Sequence, residues 1–597
     1  MCRIAGIFDP QLPSAKILMG VDHMCMLQKH GGPDDGGTYA NADGKLVLGN
    51  RRLSLIDLSH EGHMPMRYQD RYVITYNGEL YNYIELRQEL SQLGHQFNSK
   101  TDTEVILAAF AQWGPLAFCK LKGMFAFALY DEICRELYLV RDPAGIKPLY
   151  YSTIHSSLYF ASEFRAIQAV IPDADTPSDW PVYLLAYGHL PEPVTMSKDI
   201  RPLPKGFFLK YHLEDRQSSL QLFNHFSYSN QHQQQSEVFT SIRHTMDDAV
   251  KRHLIADAPI GVFLSGGLDS GILAAVASKY HQSELKALSI YFDEEAYSEK
   301  KYQDLLIDQL QCRAHQYLLT GKAFQDALGS ILNDMDLPSC DGINTWFISR
   351  QAASIGLKAV LSGLGGDELF GGYPSFYRMN KSMLLQQLPD FIKTIGKKSA
   401  SKRLNRLSYL KMEGIKGQYL FLRGHFTPHE IARQLNADEK EIWNKLNEMP
   451  VIMDPVIASS SNKASWMEFN MYMQNQLLRD ADVMGMKHSV EIRVPFLDHD
   501  VISLANSIDP EIKYAGELPK QILIDTFKND IPEAIWKRPK MGFSFPFSQW
   551  LAGSEYVSQL MMNGSKSSQL NYQKFMNGKL HWSHLMSLII LKHRKAI

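Results

Sequence analysis

The sequence predicts two units of different class: an α+β unit with a largely antiparallel sheet, then an α/β unit on a parallel sheet that ends in a helical part. Three observations carry this. Aromatic and β-branched runs with few helices between them fill residues 2–212. Residues 213–236 lose periodicity and become rich in Gln, Ser, Asn and His, which marks a linker. From 237 to 597 strand and helix patterns first alternate and then become helical, so the second unit is placed there. At roughly 150 residues per domain, a chain of 597 residues exceeds one ordinary core.

In the first unit the strand candidates are 72–77, 123–131, 135–142 and 156–163. The segments 85–94 and 103–114 read as amphipathic helices that stop at Gly94 and Gly114. In the second, strands are expected at 260–265, 285–292, 314–319 and 357–363, separated by helices at 269–280, 298–311, 322–334 and 343–355. Such alternation implies right-handed crossovers, a sheet covered on both faces, and ligands beyond the carboxyl ends of the strands.

Lysine plus arginine number 62 against 64 for aspartate plus glutamate, a net charge of −2. No global field exists to hold nucleic acid or an anionic membrane, so any anion must be captured locally. Six cysteines without a C-x-x-C pair argue against a zinc ribbon or disulfide framework and fit a reducing cytoplasm. No apolar run reaches the ~18 residues of a membrane span, and no secretory signal opens the chain. The expected location is cytoplasmic, with processing limited to loss of Met1.

Loss of Met1 would leave Cys2 with a thiol and a free α-amine, nucleophile and base in one residue. Taken alone, a second-position cysteine is usually inert. Arg52, Asn77-Gly78-Glu79 and Asp102 add groups suited to a free amino acid. Asn77 and the Gly78 N–H suit an oxyanion, Arg52 an α-carboxylate, and Asp102 an α-ammonium. The plainer roles are a surface charge for Arg52, a hairpin turn for Asn77-Gly78 and a helix cap for Asp102.

With Met1-Cys2-Arg3-Ile4-Ala5-Gly6-Ile7-Phe8, Arg52-Leu53-Ser54, Tyr76-Asn77-Gly78-Glu79 and Thr101-Asp102, this unit resembles a class II glutamine amidotransferase, an N-terminal-nucleophile (Ntn) hydrolase sandwich. The resemblance implies that Cys2 forms a glutamyl thioester and releases ammonia. It also implies that Asn77 and Gly78 form the oxyanion hole while Arg52, Glu79 and Asp102 hold glutamine. One departure is His30-Gly31-Gly32-Pro33-Asp34, where the family usually writes His-Arg-Gly-Pro-Asp; a positive charge near the site is expected to be lost.

In the second unit, a strand runs into Ser265-Gly266-Gly267-Leu268-Asp269-Ser270 and a helix, an anion cradle of free N–H groups. No lysine precedes Ser270, so this is not a Walker A loop. A second glycine loop, Ser362-Gly363-Leu364-Gly365-Gly366-Asp367-Glu368, follows another strand. Asp269 and Asp367 could then share a Mg²⁺ that bridges phosphate oxygens.

These loops, with Arg479-Asp480-Ala481-Asp482, Arg493-Val494-Pro495-Phe496-Leu497-Asp498 and Arg538-Pro539-Lys540-Met541-Gly542, resemble the ATP-pyrophosphatase domain of asparagine synthetases. The resemblance implies ATP as the nucleotide. Ser265, Gly266, Gly267, Asp269 and Ser270 would hold pyrophosphate, Leu264, Ile290 and Gly363 would contact adenosine, and Ser362 would open the second half of the site. Lys540 would stabilise charge as an adenylate forms; its plainer role is a surface lysine.

The implied activity is glutamine hydrolysis at Cys2, internal passage of ammonia, and amidation of an adenylated carboxylate, aspartate first among the acceptors. Leu364 strains that choice, because the family commonly carries a glutamate there; Asp341 or Glu368 are the candidate substitutes. A different carboxylate acceptor and a catalytically degenerate glutamine-binding homologue are the competing readings. A homodimer is entertained as the assembly, with no nucleic-acid or membrane partner. No H-E-x-x-H occurs to suggest a metal hydrolase.

Overall fold

The computed structural model of the chain describes residues 2–171, 178–229, 231–232, 234–281, 285–394, 402–450, 456–542 and 545–596. Met1, whose removal is expected from the residue that follows it, lies outside them.

The first half is two six-stranded antiparallel sheets. One runs in the order Arg201–Pro202, Tyr150–Ile154, Ser157–Ala161, Cys2–Phe8, Leu46–Arg52, Asp35–Ala40. The other runs Ser218–Leu222, Phe207–His212, Glu136–Arg141, Gly123–Asp131, Tyr72–Leu80, Met66–Tyr68. Successive strand residues face opposite sides, and here both sides are buried. Ile4, Phe8, Leu46, Leu48, Val73, Ala126, Ala128 and Leu139 pack between the sheets. Phe125, Phe127 and Leu129 point the other way, against Leu86, Leu90, Val105 and Ile106 of helices Tyr83–Gln92 and Asp102–Trp113. Ala5 and Ile7 meet Ile17, Val21 and Met24 of helix Ser14–Leu27. The result is a four-layered helix–sheet–sheet–helix sandwich, the Ntn-type architecture expected.

The strand expected at 123–131 is observed with those bounds, and the one expected at 72–77 continues to Leu80. Residues 213–236, read as a linker from composition, are not all linker. Ser218–Leu222 is an exposed edge strand paired with Phe207–His212, and helix Gln235–His253 begins inside the stretch.

The second half carries a five-stranded parallel sheet in the order Arg313–Leu318, Lys286–Tyr291, Ile260–Phe263, Ala359–Leu361, Glu491–Arg493. Four of these strands match expectation. The fifth, Glu491-Ile492-Arg493, joins after more than a hundred mostly helical residues. The chain reverses its direction of winding between Ile260–Phe263 and Ala359–Leu361, so the two glycine loops leave adjacent strands at the switch point where ligands of such sheets bind.

One apolar core spans the halves, running from Ile17 and Val21 through Trp180, Leu184 and Val262 to Leu585 and Ile589. The terminal helix Trp582–Ala596 packs on helix Trp180–Tyr187 of the first half. Among the described residues no helix is long and apolar enough to cross a membrane.

Candidate active sites

The β-sheet register places Cys2 opposite Arg52 on the neighbouring strand. Cys2 is buried, and burial pushes its thiol up while Arg52 pulls it down and Glu79 raises it. Its backbone N–H donates to Asn77 Oδ1 at 3.3 Å. Asn77-Gly78 is not a hairpin turn: both sit inside strand Tyr72–Leu80, paired with Ala126 and Phe125. A Cβ on Gly78 would stand 2.2 Å from the Met124 carbonyl, so strand pairing itself demands glycine.

The Arg52 guanidinium is buried rather than a surface charge. It donates to the carbonyls of Ile56 at 3.2 Å, Asp57 at 2.5 Å and Ser59 at 3.1 Å. Asp102 is the first residue of its helix, capped by Thr101. Asp102 Oδ2 accepts from the Leu80 N–H at 2.9 Å and Tyr76 Oη at 3.0 Å, while burial raises its carboxyl. Glu79 is buried, and its ion-pair partner is Arg493 Nη2 of the second half at 3.3 Å.

The space beside Gly31 is taken by another arginine. A Cβ on Gly31 would lie 2.7 Å from Cγ of Arg3, so the Arg3 side chain occupies the space beside that glycine. Arg3 is fully buried and pairs with Glu163 at 3.0 Å and with Asp482 of the second half at 2.8 Å. Lys147 joins Asp482 at 2.9 Å, and His30 joins Glu163 at 2.8 Å.

In the second half, Leu264, Ser265, Gly267, Asp269, Ser270, Ile290, Ser362, Gly363, Asp367 and Lys540 line one cavity of about 930 Å³. Gly266 turns the first loop at φ 84°, a conformation glycine adopts without strain. Ser265 N–H donates to Ser270 Oγ at 3.2 Å, and Gly267 N–H to Ser265 Oγ at 3.2 Å. The loops touch because the second is glycine-rich: a Cβ on Gly366 would sit 2.7 Å from the Asp269 carboxylate.

Two carboxylates this close need a cation, and Lys520 supplies it. Its Nζ lies 2.7 Å from Asp269 Oδ2 and 2.7 Å from Asp367 Oδ1. Lys540 Nζ reaches Asp367 Oδ2 at 2.5 Å. Burial raises both carboxyls; for Asp367 the two ammonium groups win and take it down to about 2, whereas Asp269 stays raised. Lys520 and Arg538, which donates to the Gly266 carbonyl at 3.0 Å, come to the loops only in three dimensions. Lys520 follows Ala515-Gly516-Glu517-Leu518-Pro519, which matches neither glycine loop.

Leu364, Asp341, Glu368, Tyr373, Arg423 and Tyr472 also line the cavity. Arg423 Nε pairs with Glu468, at 2.9 Å and 2.7 Å from its two oxygens, and the guanidinium lies over the Tyr472 ring at 3.7 Å. Glu368 accepts from Tyr373 Oη at 2.8 Å, and burial with help from Asp367 pushes it up to about 7. Burial also raises Asp341, which accepts the Gly342 N–H at 2.8 Å.

The asparagine synthase family matches residues 241–587, and the glutamine amidotransferase domain family matches residues 1–223. Glutamine-hydrolysing asparagine synthetase 1 of Bacillus subtilis (strain 168) is 31% identical over 96% of this chain and 91% of its own length. A putative asparagine synthetase of Mycobacterium tuberculosis H37Rv is 32% identical over 93% of this chain and 88% of its own. Asparagine synthetase B of Escherichia coli K12 is 28% identical over 78% and 81%.

Proposed function

Because the chain belongs to the glutamine-hydrolysing asparagine synthetase family and is thereby an ATP-dependent carbon–nitrogen ligase, we propose the following division of labour among its residues. Cys2, freed of Met1, attacks the glutamine side-chain amide, its proton passing to its own α-amine. Asn77 and the Gly78 N–H take the developing oxyanion. Arg52, Glu79 and Asp102 hold the amino-acid end of glutamine. Ammonia leaves, and water hydrolyses the thioester to glutamate.

In the second half, the loops at Ser265–Ser270 and Ser362–Gly363 hold ATP, with Leu264 and Ile290 against adenosine. An acceptor carboxylate displaces pyrophosphate at the α-phosphorus, and ammonia then displaces AMP. Lys540 and Lys520 balance charge on the phosphates throughout. The residues present fit Mg²⁺, because Asp269 and Asp367 already converge on one ammonium group; they would hold the ion, which supplies charge neutralisation to phosphate oxygens. That convergence at the junction of two glycine loops is the observation that carries the reading.

Aspartate is the proposed acceptor. A second reading, another carboxylate, is favoured by Leu364, which offers no proton acceptor. Pyrophosphate release from ATP over a panel of carboxylic acids separates them: aspartate alone supports the first, another acid the second, and none the degenerate homologue. In the same assay Cys2→Ala should lose glutamine as nitrogen source yet keep free ammonia, and Asp269→Ala should lose pyrophosphate release with either.

A further inference from the structure

Glu79 lies in the first half, but among the described residues its ion-pair partner belongs to the second. Arg493 is fully buried at the end of strand Glu491–Arg493. Its Nε binds Glu491 at 2.5 Å, and its Nη1 donates to the carbonyls of His253 at 2.7 Å and Ile255 at 2.6 Å. Three bonds therefore fix the guanidinium plane from within the second half. The remaining nitrogen, Nη2, is buried without a hydrogen-bond acceptor and faces Glu79 across 3.3 Å. The Arg493 carbonyl meanwhile accepts the N–H of Ser362, the first residue of the second glycine loop, at 2.8 Å. One residue thus touches both sites.

We propose that Arg493 is a positioning residue for glutamine: it pairs with the Glu79 carboxyl and aims it at the α-ammonium of the substrate, so that a residue of the ligase half completes the glutaminase pocket. This rests on the reading that Glu79 binds glutamine. The physical reason is desolvation. A carboxylate taken out of water keeps its charge only beside a compensating cation. Glu79 also faces Glu491, Asp102, the Cys2 thiol, the hydroxyls of Tyr76 and Tyr81 and the amino-terminal charge. Burial, Glu491 and Asp102 outweigh Arg493 and the amino terminus, so the carboxyl stands well above its ordinary value even with Arg493 in place. Removing Arg493 leaves Glu79 protonated to higher pH.

The test uses the full chain carrying Arg493→Met, Arg493→Lys and Glu79→Gln, each assayed with glutamine and separately with ammonia. Arg493→Met should raise KM for glutamine at least tenfold and leave KM for ammonia within about threefold. That elevated KM should fall as pH rises from 6.5 to 9, and Arg493→Lys should recover part of the loss. Because Arg493→Met strands Glu491, the double variant with Glu491→Gln guards against misfolding and should show the same KM pattern. An unchanged KM for glutamine, or equal losses with both nitrogen sources and no pH dependence, would overturn the proposal. If Glu79→Gln itself leaves KM for glutamine unchanged, the assignment of Glu79 fails; if it raises KM and Arg493→Met does not, this inference alone fails.

Discussion

At the scale of single residues, burial decides which acids carry charge. Asp480 sits in the buried helix Arg479–Met486, accepts from Ser339 Oγ, and is pushed up to about 7 by burial, with Arg479 opposing and Asp341 adding. An unfolded aspartate has a pKa near 3.9. Between about pH 4 and 7 the unfolded chain therefore releases this proton while the fold keeps it. The stability contribution is whole below that window and lost as pH climbs through it. Asp480→Asn removes the titration, so its stability relative to the parent should improve between pH 5 and pH 8, by about 3 kcal/mol at most. Chemical denaturation at the two pH values checks this; a constant difference would show that Asp480 is ionised throughout.

Individual elements explain the site through close approach of backbone. Gly266 has φ 84°, and a Cβ there would meet Tyr302 at 3.2 Å, so Gly266→Ala stores roughly 1–3 kcal/mol of strain in the loop. ATP-dependent pyrophosphate release should fall at least tenfold, while glutamine hydrolysis at Cys2 survives; an unaltered release rate would mean the loop does not seat the phosphates.

The elements that were legible in sequence share one property: their pattern is local. Gly123–Asp131 reads as a strand because nine residues alternate between two apolar layers, and the two glycine loops read as loops because Ser, Gly and Asp cluster after apolar runs. Cys2–Phe8 was not legible: buried on both faces, seven residues long and including glycine and arginine, it shows no alternation. Glu491–Arg493 is three residues with two charges, and only its ladder with Ala359–Leu361 makes it a strand. Among site residues, Lys520 and Arg493 escaped for a related reason. Each acts on groups hundreds of positions away, Lys520 on Asp269 and Arg493 on Glu79.

On the scale of the whole molecule, the halves are joined by buried charge as well as apolar surface. Arg3 and Lys147 from the first half meet on Asp482 from the second, all nearly or fully buried. Removing one partner of such a group strands the others and costs about 3–5 kcal/mol. Asp482→Asn should lower the unfolding temperature by several degrees, and adding Lys147→Met should restore part of it; calorimetry showing no change in either variant would mean the network carries no net stability. Arg3 next to Cys2 and Asp482 next to cavity-lining Ala481 place this joint between the two chemistries.

The account as a whole requires nitrogen to travel from glutamine to a carboxylate activated at the expense of ATP. The direct measurement is to supply glutamine labelled with ¹⁵N at its side-chain amide, together with ATP, Mg²⁺ and aspartate or the panel of carboxylic acids, and to analyse the products by mass spectrometry and ³¹P NMR. One labelled amide per AMP and pyrophosphate formed is the predicted result. Release of label only as free ammonium with every acid offered, or cleavage of ATP to ADP and phosphate, would contradict it.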